Sequence, residues 1–226
     1  MTIGFRILNR KHSVDLKTAK RFLDLPVANV SDCMLRLTAG GSRIRPMHKS
    51  GQLAGPALTV KTRPGDNLML HKAIDIAEPG DIVVCDAGGD LTNSLMGELM
   101  LAHAVKRGVG GFVLNGAVRD AEAFLDVNLP VFAAGVTHRG PYKDGPGEIN
   151  VSVAIDGMVI EPGDLIIGDW DGVLAVPLNE VDIILKKTKE KQDAEIKEMK
   201  KIKAGEWDRG WVDKTLIERG CDIPQS

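Results

Sequence analysis

Residues 81–86 read Asp-Ile-Val-Val-Cys-Asp and residues 110–115 read Gly-Gly-Phe-Val-Leu-Asn. Between them, 94–107 runs Ser-Leu-Met-Gly-Glu-Leu-Met-Leu-Ala-His-Ala-Val-Lys-Arg. The two short apolar runs are bounded by turn formers and read as buried strands, while 94–107 has the three- and four-residue apolar spacing of a helix. Working outward, 66–77 is a second helix whose apolar stripe is Leu68, Leu70, Ala73, Ile74 and Ala77. Upstream of it, a strand in 51–62 ends in Ala57-Leu58-Thr59-Val60-Lys61-Thr62. Downstream, 120–126 is a short helix and 129–134 a strand. Strands alternating with helices over 66–134 predict an α/β core with helices layered on a sheet. Earlier in the chain, 15–25 and 29–37 have helical spacing, with Asn29 or Ser31 as a cap of the second.

After Gly135 the texture changes. Residues 137–150 are rich in Gly and Pro and read as a loop. Short strands are expected at 149–155, 158–160, 164–167 and 172–176, so a purely doubly wound sheet does not fit. Pro-Gly-Asp occurs at 64–66, 79–81 and 162–164. Each marks a sharp turn, because Pro presets φ and Gly accepts a positive φ after it. Residues 179–203 form a long helical pattern with eight Lys from Lys186 to Lys203, read mainly as a solvated helix laced with pairs four residues apart. Trp207 and Trp211 follow, and exposed Trp is wasteful, so the tail is expected to dock on the body or on a neighbouring subunit. The expected division is a core over 1–178 and a C-terminal helix and tail over 179–226.

Composition excludes several classes of function. With 226 residues, 43% hydrophobic and 27% charged, the chain is long enough for one well-packed domain, or at most two small ones. A formal net charge of −2 and a pI near 6.2 draw it neither to nucleic acid nor to an acidic membrane. Aromatics at 4% leave little for base stacking. No apolar run approaches the roughly 18–20 residues of a membrane helix. Residues 1–14 carry Arg6, Arg10 and Lys11 without an apolar run, so no signal peptide is read there. Cys33, Cys85 and Cys221 are few, odd in number and widely spaced, as in the reduced thiols of a cytoplasmic protein. Cys33 and Cys85 sit in apolar contexts and read as core residues. Gly88-Gly89 lacks the lysine of a phosphate loop and reads as a tight turn.

The chemistry-bearing residues are Gly97-Glu98-Leu99-Met100 and Asn115-Gly116-Ala117-Val118-Arg119-Asp120, with twenty residues (99–118) between Glu98 and Arg119. An arginine forks onto a carboxylate, and Asp oxygens suit a hard cation. Taken alone, Arg-Asp reads as a helix start with Asp120 as the cap. Asn67 and His71 lie four apart, on one face of the predicted helix.

Six stretches in order resemble one family, the class II 4-hydroxy-4-methyl-2-oxoglutarate aldolases, which share a fold with regulators of ribonuclease activity. They are 64–73 (Pro-Gly-Asp-Asn-Leu-Met-Leu-His-Lys-Ala), 79–84 (Pro-Gly-Asp-Ile-Val-Val), 97–100, 115–120, 129–133 (Leu-Pro-Val-Phe-Ala) and 168–173 (Gly-Asp-Trp-Asp-Gly-Val). The family hallmark is an acid, twenty residues, then Arg-Asp. Many relatives carry Asp where this chain has Glu98, which keeps the charge and reaches one methylene further.

The resemblance implies a single-domain α-β-β-α sandwich of the swivelling type with a C-terminal helical tail, assembled as a homotrimer or homohexamer with active sites between subunits. It implies a lyase using Mg²⁺, or else Mn²⁺ or Co²⁺, on pyruvate-derived 2-oxo acids, with oxaloacetate decarboxylation through the same pyruvate enolate. Asp120 would hold the metal directly and Glu98 through water. Arg119 would hold the keto or enolate oxygen, and backbone N–H groups of Gly97, Glu98, Leu99 and Met100 the substrate carboxylate. Asn67 and His71 would reach the distal end. Asp32 and Glu195 would act across the subunit interface, Glu195 as proton shuttle or water-orienting group, although Glu190 and Glu198 lie close by. The alternative is a non-catalytic protein that binds and regulates a ribonuclease, which has no need of Glu98, Arg119 and Asp120 together.

Overall fold

The computed structural model describes residues 2–223. In chain order its elements are β1 (Phe5–Ile7), α1 (Leu16–Lys20), α2 (Val27–Cys33), β2 (Arg45–Pro46), β3 (Leu53–Thr62), α3 (Leu68–Ile76), β4 (Ile82–Asp86), β5 (Ser94–Met96) and α4 (Glu98–Arg107). They continue as β6 (Gly111–Val118), α5 (Ala121–Val127), β7 (Val131–Val136), β8 (Gly147–Ile149), β9 (Val153–Ile155), β10 (Met158–Ile160), β11 (Leu165–Asp169), β12 (Gly172–Val176), α6 (Val181–Ala204) and α7 (Gly210–Glu218). The chain divides into two compact units between Thr188 and Lys189.

In the first unit the main sheet has the strand order β1-β8-β3-β4-β6-β7-β2. β3, β4, β6 and β7 are parallel, in register from Ala57 opposite Ile82 and Ile82 opposite Gly111. The N-terminal half of β3 also pairs antiparallel with β11, which pairs with β12, while β9 and β10 form a separate hairpin. Strands buried on both faces are near-continuously apolar, and β4 and β6 are buried along their whole length. Alternate side chains feed two cores. Val83, Cys85, Phe112 and Leu114 pack under α3, α4 and α5 against Leu70, Ile74, Leu101 and Phe124. Ile82, Val84 and Val113 pack on the other side against β9–β12 and α2, with Ile155, Ile160, Leu165, Leu174 and Val30. Helices, sheet, second strand layer and helices make the α-β-β-α sandwich. Each of these buried Val, Leu, Ile and Phe side chains contributes about 1.5–3 kcal/mol relative to exposure.

Several expected elements shift. α2 starts at Val27 behind Pro26 without a side-chain cap, so neither Asn29 nor Ser31 opens it. Residues 94–107 do not form one helix. Ser94–Met96 is a fully buried strand beside β6, and Gly97, extended at φ −145°, ends it and opens α4. The 137–150 loop contains β8, which pairs with both β1 and β3.

Because β3, β4, β6 and β7 run parallel, their carboxyl ends share one edge of the sheet. The segments that follow them, 63–67, 87–93, 119–120 and 137–143, gather there. Such an edge is where open α/β sheets place ligands.

The second unit holds the end of α6 and α7. In it Arg209 stacks on Trp207 at 4.4 Å and on Trp211 at 5.7 Å, and Ile196, Met199, Ile202 and Trp211 are exposed. No described helix is long and apolar enough to cross a membrane.

Candidate active site

The end of β6 delivers Arg119 and Asp120. The Arg119 N–H donates to the Met96 carbonyl (2.9 Å), which pins the turn against β5. Asp120 then takes the left-handed conformation, φ 57° and ψ 46°, which costs a non-glycine residue about 1 kcal/mol or more and concentrates at functional sites. Its side chain does not cap α5. It turns instead to α4, where Oδ2 accepts the Glu98 N–H at 3.0 Å. The Arg119 Nε stands 3.7 Å from the same oxygen. The helix-cap reading of Asp120 is therefore replaced by a carboxylate held on a neighbouring helix N-terminus, where the dipole favours negative charge.

Gly97 makes this approach possible. A Cβ at 97 would lie 2.5 Å from Asp120 Oδ2 and 2.9 Å from Arg119 Cγ. With Glu98 N–H engaged, the backbone donors of the first turn left without intrahelical partners are those of Leu99 and Met100.

A cleft of about 250 Å³ opens beside this pair, lined by Asn67, His71, Ser94–Gly97, Leu99, Met100, Arg119, Gly140, Pro141 and Lys143. Asn67 is buried. Its amide NH₂ donates to the Leu95 carbonyl (2.9 Å) and to Met100 Sδ, while its Oδ1 has no partner. A buried acceptor without a donor is costly, and here it borders the cleft. Burial, aided by the charges of Lys143 and His103, pushes His71 below its ordinary pKa of 6.5, with Asp75 pulling the other way. His71 is therefore neutral at pH 7. Next to the cleft, Glu98, Asp120, Glu122 and Asp126 line a second, more open groove.

Among the described residues no three His, Cys, Asp or Glu side chains converge as metal ligands. The donor set fits Mg²⁺ nonetheless, since that ion keeps several waters and takes one or two carboxylates, and Asp120 and Glu98 share the rim of one groove.

The sequence-predicted residues Asn67, His71, Gly97, Leu99, Met100 and Arg119 come together at the cleft, with Asp120 and Glu98 beside it. Asp32 is not a lining residue; it lies on α2, paired with Arg36 at 2.6 Å. Glu195 lies in the second unit, paired with Lys191 at 2.8 Å. Lys143 was not predicted. It stands in a Gly/Pro-rich segment, and no periodicity signals which residue of a loop faces a cleft.

The RraA-like family model, described as Aldolase/RraA, matches residues 27–175. A Halalkalibacterium halodurans protein, provisionally named 4-hydroxy-4-methyl-2-oxoglutarate aldolase, is 42% identical over 172 residues, covering 76% of this chain and 82% of its own. An uncharacterized Pseudomonas syringae protein shares the fold, with a TM-score of 0.77 at 23% identity over 85% of this chain and 95% of its own. The RNA-processing inhibitor RraA from Thermus thermophilis gives a TM-score of 0.63 at 27% identity over 68% of this chain and 93% of its own. With the matched model spanning most of the chain and a relative 42% identical over three quarters of it, the chain belongs to the RraA-like (Aldolase/RraA) family.

Proposed function

We propose that this protein is a divalent-metal-dependent lyase that cleaves 4-hydroxy-2-oxo diacids to pyruvate. Its candidate substrates are 4-hydroxy-4-methyl-2-oxoglutarate and 4-carboxy-4-hydroxy-2-oxoadipate. The observation that carries this reading is Asp120, held in a strained conformation with its carboxylate on the N-terminus of α4 beside Arg119. Arg119, a neutral His71 and Lys143 line the cleft next to it. Two cationic side chains around one small cleft suit a dianion.

The pyruvyl carboxylate is bound by the free Leu99 and Met100 N–H groups, and Arg119 faces the 2-keto oxygen. Asn67 and His71 face the distal part of the substrate, where Lys143 meets the second carboxylate. Asp120 directly and Glu98 through water would hold Mg²⁺, which would supply Lewis-acid polarisation of the keto group. The hydroxyl proton leaves to Glu195 or a water it orients, reached from a neighbouring subunit of a homotrimer or homohexamer, with Asp32 at the same interface. The C3–C4 bond breaks, its electron pair becomes the enolate of pyruvate, and the former C4 becomes a carbonyl. Arg119 holds the enolate oxygen, where preorganised charge is most effective. Protonation at C3 completes the turnover.

Loss of CO₂ from oxaloacetate leaves the same enolate, so the site decarboxylates oxaloacetate as well. Arg119→Ala and Asp120→Ala, measured with both substrates, test the shared path. Both activities are expected to fall together by about 10²-fold or more, and a variant that loses only one refutes the common enolate. A second reading, regulation of a ribonuclease by binding, is favoured by the likeness to the inhibitor RraA. Tight ribonuclease binding by a chain without turnover would select it.

A further inference from the structure

Three Pro-Gly-Asp turns occur in the chain, and in two of them the aspartate closes its own turn. Asp81 Oδ2 accepts the Glu78 N–H and Asp164 Oδ2 accepts the Glu161 N–H, each at 2.9 Å and each three residues back. Asp66 departs from this pattern. It is fully buried, and its Oδ2 reaches 78 and 79 residues along the chain to accept the Asp144 N–H (2.7 Å) and the Gly145 N–H (2.9 Å). Its Oδ1 accepts the Leu68 N–H at the start of α3 (2.9 Å), and Arg63 supplies a counter-charge at 3.2 Å.

The flanking backbone is laced in the same place. Asn67 N–H donates to the Tyr142 carbonyl (3.0 Å) and Tyr142 N–H to the Gly65 carbonyl (2.9 Å). One carboxylate thus ties the end of α3 that presents Asn67 and His71 to the segment that presents Lys143 across the cleft. Residues 137–141 have no regular secondary structure, and Lys143 is held between the Tyr142 backbone pairing on one side and the bonds of Asp144 and Gly145 to the Asp66 carboxylate on the other.

We infer that Asp66 is a positioning residue that sets the separation of Asn67 and His71 from Lys143, and so decides whether the second carboxylate of a 2-oxo diacid is accepted. This rests on the aldolase reading for its substrate, although the tie itself does not. A carboxylate is required because both oxygens accept, Oδ2 from two backbone N–H groups and from the Arg63 guanidinium. The isosteric amide has one oxygen and would set its NH₂ against a donor.

The test is Asp66→Asn in the full-length protein, with two reactions compared. Exchange of pyruvate methyl protons with deuterated solvent uses only the pyruvyl end, whereas cleavage of 4-hydroxy-4-methyl-2-oxoglutarate uses both ends. The expected result is a KM for the diacid raised about tenfold or more, with pyruvate exchange held within about twofold. Equal losses in both reactions mark a merely structural role and overturn the inference, as does an unchanged KM.

Amide hydrogen exchange keeps the question decidable if the variant does not fold. In the wild type, 2-oxoglutarate, a five-carbon 2-oxo diacid, is expected to slow exchange at the Asp144 and Gly145 amides, while oxalate, which fills only the pyruvyl end, does not. No slowing, or the same slowing by both, overturns the inference. A wild type that turns over no 2-oxo acid refutes the aldolase reading instead.

Discussion

Asp120 concentrates the argument because its conformation and its contacts oppose its local preference. A left-handed backbone favours Gly or Asn, so Asp120→Gly relieves strain and Asp120→Asn keeps the acceptor for the Glu98 N–H while removing charge. Asp120→Asn is expected to melt near the wild-type temperature. Asp120→Gly and Asp120→Ala both lose the acceptor for the Glu98 N–H, but only the glycine also loses the strain, so it is expected to be the more stable of the two by the order of 1 kcal/mol. All three are expected to lose about 10²-fold or more in kcat. Calorimetry beside a pyruvate-release assay checks this, and an Asp120→Gly no more stable than Asp120→Ala contradicts the strain. His71 makes a separate prediction. Its NMR titration midpoint falls below 6.5, rises in Lys143→Ala and falls further in Asp75→Asn, following the influences on its ring. The unfolded chain binds that proton near pH 6.5 and the folded chain only at lower pH. The stability contributed by neutral His71 is therefore present above 6.5 and lost as the pH falls below it. His71→Gln is expected to flatten that part of the acid limb.

Elements carry the precision. Gly97 ends β5 and starts α4 where a single methyl would push into both Asp120 and Arg119. Gly97→Ala is expected to cut kcat/KM about 10²-fold, as small misplacements do, while the melting temperature moves by only a few degrees; unchanged kcat/KM would show that the pair tolerates displacement. The strand and helix alternation through 53–136 was legible because strands buried on both faces are continuous apolar runs and the helices between them carry apolar stripes. Ser94–Met96 was not, since its apolar residues run straight into those of α4 and only the φ of Gly97 separates the two. β1, β2 and β8 are three residues or fewer and exist through long-range pairing that leaves no periodic trace. Arg119, Asp120, Asn67 and His71 were legible as residue types at a family spacing. The direction of the Asp120 carboxylate and the arrival of Lys143 depend on tertiary contacts with α4 and Asp66, which no local pattern encodes.

For the molecule as a whole, the two units divide the work. The first contains both hydrophobic cores and the complete cleft. The second exposes Ile196, Met199, Ile202 and Trp211, more apolar surface than an isolated tail needs, as expected of a segment that packs on another subunit. Light scattering of the full chain should give three or six times 24.4 kDa. A chain ending at Thr188 should give a folded monomer without lyase activity, and a truncated chain that keeps the full-length assembly contradicts the role given to the tail.

The central claim is tested most directly by pyruvate release from 4-hydroxy-4-methyl-2-oxoglutarate by the wild-type protein, with Mg²⁺, with EDTA, and with Mg²⁺ restored after EDTA. Release that stops with EDTA, returns with Mg²⁺ and is absent in Asp120→Ala is the predicted result. A folded protein that releases no pyruvate under any of these conditions, or releases it equally in EDTA, contradicts the account.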